Sequence, residues 1–258
     1  MKRVICYADS VEDTLEIRVR DDESLEYAVR QLAEMGFISM RGPFSPKRLS
    51  ALVETYDEVM SPGCGPNFNV GSTTTRMSNL LSFNVIFDDI FLHEPLLAIC
   101  SRFFIGDFKL SSFLGRTLRP GTPAQALHAD LPRDSEDALL LGFILMVDPF
   151  LRENGATRFV PSSHDWPSVP TESMVDTRAQ HPNEHVRWGA AGTMIIFNAA
   201  IWHGHTANTT PHPRRSVQGY FVRRNARRGS EFRSMLPFRV PTRMSPNARH
   251  LLALDEDS

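Results

Sequence analysis

The chain has 258 residues, 41% hydrophobic, 9% aromatic and 22% charged, with a formal net charge of -2. That balance excludes an intrinsically disordered chain, and the composition fits neither collagen, a disulfide scaffold nor a coiled coil. The length suits one domain with a sizeable buried core.

Met1-Lys2-Arg3 opens the chain, but acids follow within ten positions, where a secretory signal needs an apolar core, so a cytoplasmic protein is expected. Cys6, Cys64 and Cys100 form no CxxC pair, which fits a reducing compartment and argues against disulfides or a zinc knuckle. Asp22-Glu23-Ser24 is expected to cap a helix with Leu25, Ala28, Val29, Leu32 and Ala33 on one face and Gly36 as its stop. A short strand, Phe37 to Met40, follows. Ser45-Pro46 then begins a second helix with Leu49, Leu52, Val53 and Tyr56 on one side, ended by Pro62-Gly63.

Residues 64–80 are rich in Gly, Ser, Thr and Asn and read as a surface loop; a third helix is expected over residues 88–104. From Phe108 onward, short apolar runs alternate with Gly, Pro and polar turns, which is the texture of strands. The longest uncharged apolar run, residues 138–147, is about half what a membrane-spanning helix needs and reads as a buried strand. Helices first and strands after predict an α+β protein whose antiparallel strands form a sandwich or barrel.

Chemistry concentrates in three short segments. In Leu127-His128-Ala129-Asp130, an extended backbone turns His128 and Asp130 to the same side. Ile201-Trp202-His203-Gly204-His205, at a strand end, adds a distant imidazole. Two histidines and one carboxylate suit Fe(II) and leave coordination positions open. His203 and His205 share a face, so spacing alone does not choose between them. Arg214 and Ser216 also point the same way, and a guanidinium fork plus a hydroxyl is a receptor for a carboxylate. Arg215, between them, reads as an exposed strand-start arginine.

These residues resemble the phytanoyl-CoA dioxygenase-like family of Fe(II)- and 2-oxoglutarate-dependent oxygenases. The resemblance rests on His128-Ala129-Asp130, on Glu153-Asn154-Gly155-Ala156-Thr157 with Phe159-Val160-Pro161-Ser162-Ser163-His164, and on His203-Gly204, Asn208 and Arg214 in the family's order and spacing. It spans residues 25 to 225. It implies a double-stranded β-helix (jelly-roll, cupin-like) core braced by N-terminal helices, with residues 1–105 as helical support, 106–225 as the core and 226–258 as a basic C-terminal segment of one domain.

It also implies His128, Asp130 and His203 as iron ligands, thereby selecting His203. Arg214, assisted by Ser216, would take the far carboxylate of 2-oxoglutarate, with O2 as the other co-substrate. Gln125 and Thr117 are candidates for further bonds to 2-oxoglutarate; Arg76, Phe113 and His205, with Ile144, are candidates for the substrate side. The expected reaction is oxidation of an unactivated C–H of a small-molecule metabolite, releasing succinate and CO2. Ser162 departs from the family's usual Gly, and His205 from its usual small residue.

A Zn or Ni hydrolase or isomerase on the same three ligands, and a non-catalytic binding protein, are the competing readings; a hydrolase has no use for Arg214 with Ser216. Near-neutral charge predicts no nucleic-acid or membrane partner. The cluster of Arg223, Arg224, Arg227, Arg228, Arg233, Arg239 and Arg243 reads as a solvated face, with an anionic group such as a CoA phosphate or an acidic surface as the alternative, followed by an acidic frayed tail.

Overall fold

Helix α1 (Asp22–Met35) begins one residue earlier than the capping pattern suggests, at Asp21, whose carboxylate accepts the Ser24 N–H, and Asp22 and Glu23 then lie in the first turn. It ends at Gly36, which adopts the left-handed φ of 83°. Helix α2 (Pro46–Val59) is capped by Ser45 and buries Leu52, Tyr56 and Val59. The helix expected over residues 88–104 is two helices, α3 (Asp88–Phe91) and α4 (Glu94–Phe104). Pro95 explains the break, because it has no N–H to give the carbonyl four residues back. The computed structural model describes residues 14–19, 21–61, 67–131, 139–227 and 229–255; Cys6, Pro62-Gly63, Cys64, Arg228 and the tail beyond residue 255 lie outside these.

Eleven strands are present among the described residues: β1 (Thr14–Leu15), β2 (Phe37–Arg41), β3 (Phe68–Val70), β4 (Thr74–Ser78), β5 (Phe108–Leu118), β6 (Leu140–Met146), β7 (Thr157–Phe159), β8 (His185–Arg187), β9 (Thr193–Asn198), β10 (His203–His205) and β11 (Arg214–Arg223). Eight form a sheet in the order β1-β2-β9-β6-β11-β5-β4-β3, antiparallel except for β1 with β2. A smaller antiparallel sheet runs β10-β7-β8, and a bridge between His128 and His203 adds the segment before Asp130 to its edge. The expected loop over residues 64–80 is, where described, the β3–β4 hairpin: its threonines favour a strand and β4 pairs with β5.

Period two sorts the large sheet into its two faces. Phe143, Leu145, Met194, Ile196, Val217 and Phe221 join Leu25, Leu32, Leu52 and Phe91 from the helices in the main core. Their neighbours Ile144, Met146, Ile195 and Phe197 instead meet Phe159 and Val186 of the small sheet. Two glycines make room for rings across the strands: a Cβ on Gly142 would lie 2.3 Å from Phe197, and one on Gly219 would lie 2.4 Å from Phe143. The result is the α+β jelly roll expected, with helices covering one face of the large sheet and the small sheet facing the other.

Short helices α5 (Pro170–Ser173), α6 (Phe232–Met235), α7 (Arg239–Arg243) and α8 (Pro246–Leu251) complete the chain. The C-terminal arginines are not simply a solvated face. Arg243 pairs with Asp88 at 2.9 Å, and Arg224 donates to the His250 carbonyl at 2.6 Å, so they tie this segment to the body. His250 meets Asp107 at 3.0 Å. No helix among the described residues is long and apolar enough to cross a membrane.

Candidate active site

The cavity between the two sheets has a volume of about 210 Å³. From the large sheet it receives Arg76 of β4, Leu114 and Arg116 of β5, Ile144 of β6, Phe197 of β9, and Gln218 and Tyr220 with Arg214 of β11. Thr157, His203, Gly204 and His205 enter from the small sheet, and Gln125, His128 and Asp130 from the segment beside it.

His128 and His203 are locked together by two backbone hydrogen bonds, His128 N–H to the His203 carbonyl at 3.0 Å and the reverse at 2.9 Å. The Asp130 N–H donates to the Ala199 carbonyl, which anchors the third residue. The side chains are oriented by the same kind of contact. His128 Nδ1 lies 3.0 Å from the Ala126 carbonyl and His203 Nδ1 lies 2.9 Å from the Ile201 carbonyl. A carbonyl only accepts, so Nδ1 carries a proton in both rings and Nε2 is the nitrogen that each turns to the cavity. His203 Nε2 stands 3.3 Å from Asp130 Oδ2 and His128 Nε2 stands 3.5 Å from Asp130 Oδ1. The three ligand atoms lie within 4.8 Å of one another, and they are the metal-capable group found among the described residues. Two neutral imidazole nitrogens and one carboxylate fit a divalent first-row metal such as Fe(II).

Local electrostatics favour that use. Burial pushes the Asp130 carboxyl up, but His203, the Tyr220 hydroxyl and His128 outweigh it and hold the group at about 2, ionised. Burial and the neighbouring His203 lower His128, which keeps it neutral. Tyr220 donates to Asp130 Oδ2 at 2.5 Å, and burial followed by the Asp130 charge pushes its phenol well above the usual range.

Arg214 forms the opposite wall. It is 2% exposed, donates to Ser216 Oγ at 3.1 Å and to the Gly155 carbonyl at 2.7 Å, and lies 4.2 Å above the Phe150 ring. Its Nε has no hydrogen-bond partner, and no carboxylate among the described residues pairs with it. Burial and the nearby Arg116 lower it to about 9. A buried cation in this state fits an anionic ligand.

The Asn-Gly motif explains how the arginine is seated. Asn154 accepts the Leu151 N–H and donates to the Pro149 carbonyl, and Gly155 takes a left-handed φ of 92° that presents its carbonyl to Arg214. Fully buried Asn208 donates to the His212 carbonyl at 2.8 Å and shapes the loop leading into β11. Ser162, where Gly is usual, holds a φ of 62° and anchors to the Glu34 carbonyl at 2.8 Å; His164 bonds the Ala33 carbonyl at 2.9 Å.

Of the other expected residues, Gln125 reaches the cavity, 3.5 Å from His128 Nε2. Arg76 and Ile144 line it too. His205 also lines it, but stands outside the three-residue cluster: its Nδ1 donates to the Thr206 carbonyl, and burial followed by Arg116 and Arg214 lowers it to about 3, so it is neutral. Thr117 and Phe113 are corrections. Arg116 pairs with Ser216 across the strands, which turns Leu114 and Arg116 inward and Phe113 and Thr117 toward the helices. Thr117 accordingly meets the Tyr56 hydroxyl at 3.0 Å, and Phe113 stacks edge-on against Phe91. Arg215 is corrected as well, since it binds Asp148 at 2.5 Å and Asp57 at 2.6 Å on the helix side.

Arg116, Thr157, Gln218 and Tyr220 lie outside the sequence expectations. For Gln218 and Tyr220 the signal was present, because they continue the two-residue spacing from Arg214 and Ser216. Arg116 and Thr157 become visible only through strand pairing.

A jelly roll that gathers two histidines and a carboxylate in front of a buried arginine is the architecture of the iron- and 2-oxoglutarate-dependent dioxygenases. Comparison with known families narrows this class: residues 32–216 match phytanoyl-CoA dioxygenase (PhyH), and the chain belongs to that family. Among its relatives, the dioxygenase cdmA of Talaromyces verruculosus is 27% identical over 218 residues, covering 74% of this chain and 70% of that protein. The iron/alpha-ketoglutarate-dependent dioxygenase ausO of Aspergillus calidoustus is 33% identical over 138 residues, 49% of this chain and 46% of that one. In fold, the epimerase SnoN, solved with Fe3+, alpha-ketoglutarate and nogalamycin RO, superposes with a TM-score of 0.65 at 16% identity, covering 79% of this chain and 85% of SnoN.

Proposed function

We propose that this dioxygenase oxidises an unactivated C–H of a small-molecule metabolite, with His128, Asp130 and His203 holding Fe(II) and with Arg214 and Ser216 receiving the far carboxylate of 2-oxoglutarate. The observation that carries the reading is the pairing of a three-ligand cluster within 4.8 Å with a buried arginine that has no acidic partner among the described residues, both on one cavity. Bound iron would supply the redox chemistry, in which 2-oxoglutarate and O2 are converted to succinate and CO2 as the substrate is oxidised.

The chain's own residues set the conditions. The carbonyls of Ala126 and Ile201 keep both imidazoles in the tautomer that ligates through Nε2, and Tyr220 steers the carboxylate. Gln125 and Thr157 line the same cavity and would offer hydrogen bonds to the co-substrate. Leu114, Ile144 and Phe197 give the same cavity its apolar surface, which excludes water from the reacting centre. A hydrolase or isomerase on Zn or Ni would leave Arg214 without a role. Succinate formation from 2-oxoglutarate, with Fe(II) and ascorbate, tests the reading; a purified protein that binds neither Fe(II) nor 2-oxoglutarate would sink it.

A further inference from the structure

Thr157 and Arg158 are neighbours on β7, so with the first facing the cavity the second faces the outer side of the small sheet. There Arg158 is 2% exposed and pairs with Glu184 at 3.0 Å, both side chains being buried. A buried ion pair can cost more in desolvation than its attraction returns, so the other bonds it makes show what it holds in place. Arg158 makes three: Nη1 donates to the Ala179 carbonyl at 2.8 Å, and Nη2 donates to the Gln125 carbonyl at 2.8 Å and to the Thr177 carbonyl at 3.0 Å. Glu184 in turn accepts the His181 N–H at 3.1 Å. One guanidinium thereby ties residues 177–184 to the segment that leads into His128.

These bonds end on the group that orients the ring of His128. The carbonyl of Ala126 and the N–H of Leu127 belong to one planar peptide unit. Its N–H donates to the Thr177 carbonyl at 2.8 Å, the same oxygen that Arg158 holds, and its carbonyl accepts from His128 Nδ1 at 3.0 Å. Arg158 grips the preceding peptide as well, through the Gln125 carbonyl. Gly204, paired with Arg158 across the strands, leaves room for this clamp: a Cβ there would lie 3.0 Å from the Gln125 oxygen, 3.3 Å from the Ala126 oxygen and 3.5 Å from Arg158 Nε.

We infer that Arg158, held by Glu184, is a positioning residue of the metal centre: it sets the peptide plane that fixes the ring of His128, without itself touching metal or substrate. The inference rests on the reading above, in which His128 is a metal ligand. Rotation of that plane would turn the Ala126 carbonyl away from Nδ1 and release the ring from the point where Asp130 and His203 converge. Residues 177–184 contribute nothing to the cavity lining, so they act on the metal through this one guanidinium. The same clamp sets where Gln125 enters the cavity, because its carbonyl is held by Arg158 and its N–H by the His205 carbonyl at 2.9 Å.

The test uses Co(II) as the probe, which suits the same ligands as Fe(II) and whose visible absorption reports their geometry. Arg158→Met should bind Co(II) about 10- to 100-fold more weakly than the wild type, with an altered spectrum, the cost of disturbing the outer partners of a metal ligand. Arg158→Lys, which keeps a charged donor, should stay within about tenfold of the wild type. Leu96→Ala, which opens a cavity beneath α4 in the main core, lowers stability without touching the clamp and should bind Co(II) within about threefold of the wild type. Wild-type affinity and spectrum in folded Arg158→Met overturn the inference, and so does an equal loss in Leu96→Ala. Should Arg158→Met fail to fold, Glu184→Gln keeps the shape and removes the charge; a loss of about fivefold is expected there, and unchanged affinity overturns the inference. If the wild type binds no Co(II), the metal reading fails by itself. Exchange of the Leu127 amide hydrogen in the metal-free protein then still reads the clamp: it should be about tenfold faster in the folded variant, and an unchanged rate overturns the inference.

Discussion

Tyr220 donates to one oxygen of Asp130 and so restrains the carboxylate in front of the two imidazoles. Its ring packs edge-on against Phe197, with centroids 5.8 Å apart, so Tyr220→Phe keeps the packing and removes only the hydroxyl. That variant should lose about 10- to 100-fold in Fe(II) affinity, the usual cost of an outer partner of a metal ligand, as measured by metal titration. Arg214→Gln separates the other half of the site. It should weaken 2-oxoglutarate by about thirtyfold or more through lost charge-assisted bonds, leaving metal affinity near the wild-type value; an equal loss of both would show that the arginine acts on the fold instead.

At the level of strands, the paired glycines are the sharpest constraint. Gly142 faces Phe197 and Gly219 faces Phe143, each ring lying over the bare backbone of its neighbour. Gly142→Ala forces a Cβ into the Phe197 ring and should destabilise by about 1–3 kcal/mol, visible as a lowered midpoint in chemical denaturation; an unchanged midpoint would mean that β9 moves aside freely.

The same strands show how far sequence reading reaches. Period-two patterning made the sidedness of Arg214 and Ser216 legible, and the uncharged run over residues 138–147 marked the buried strand that the structure begins at Leu140. Which strand lies beside which was not legible, because pairing depends on contacts far apart in the chain. Thr117 and Phe113 were therefore assigned to the wrong face, and Arg116 was passed over. The break at Pro95 was written in the sequence, but the apolar run around it masked the missing donor. The β3–β4 hairpin was hidden for another reason: its polar threonines gain their strand partner only from β5.

For the molecule as a whole, the three ligands tie together parts of the chain that are distant in sequence. His128 and Asp130 follow β5, while His203 begins β10, and two backbone hydrogen bonds pair His128 with His203 while a third runs from Asp130 to Ala199. A metal at 100 times its Kd should stabilise the folded state by about 2.7 kcal/mol, or about 5–10 °C in Tm for a chain of this size. The gain should vanish on adding a chelator and be absent in Asp130→Ala; a metal-induced rise that persists in Asp130→Ala would place the ion elsewhere.

Arg215 ties the interior to the exterior. It shares β11 with Arg214 but faces outward, where it is held by Asp148 beyond the end of β6 and by Asp57 on α2. The Thr117 hydroxyl depends on Tyr56 of the same helix. A stripped-down version of this protein, strands kept and α2 discarded, would therefore expose the back of the very strand that presents Arg214. The helical layer is not packaging that an engineer can exchange at will: transplanting this chemistry to another host means carrying α2 along with it.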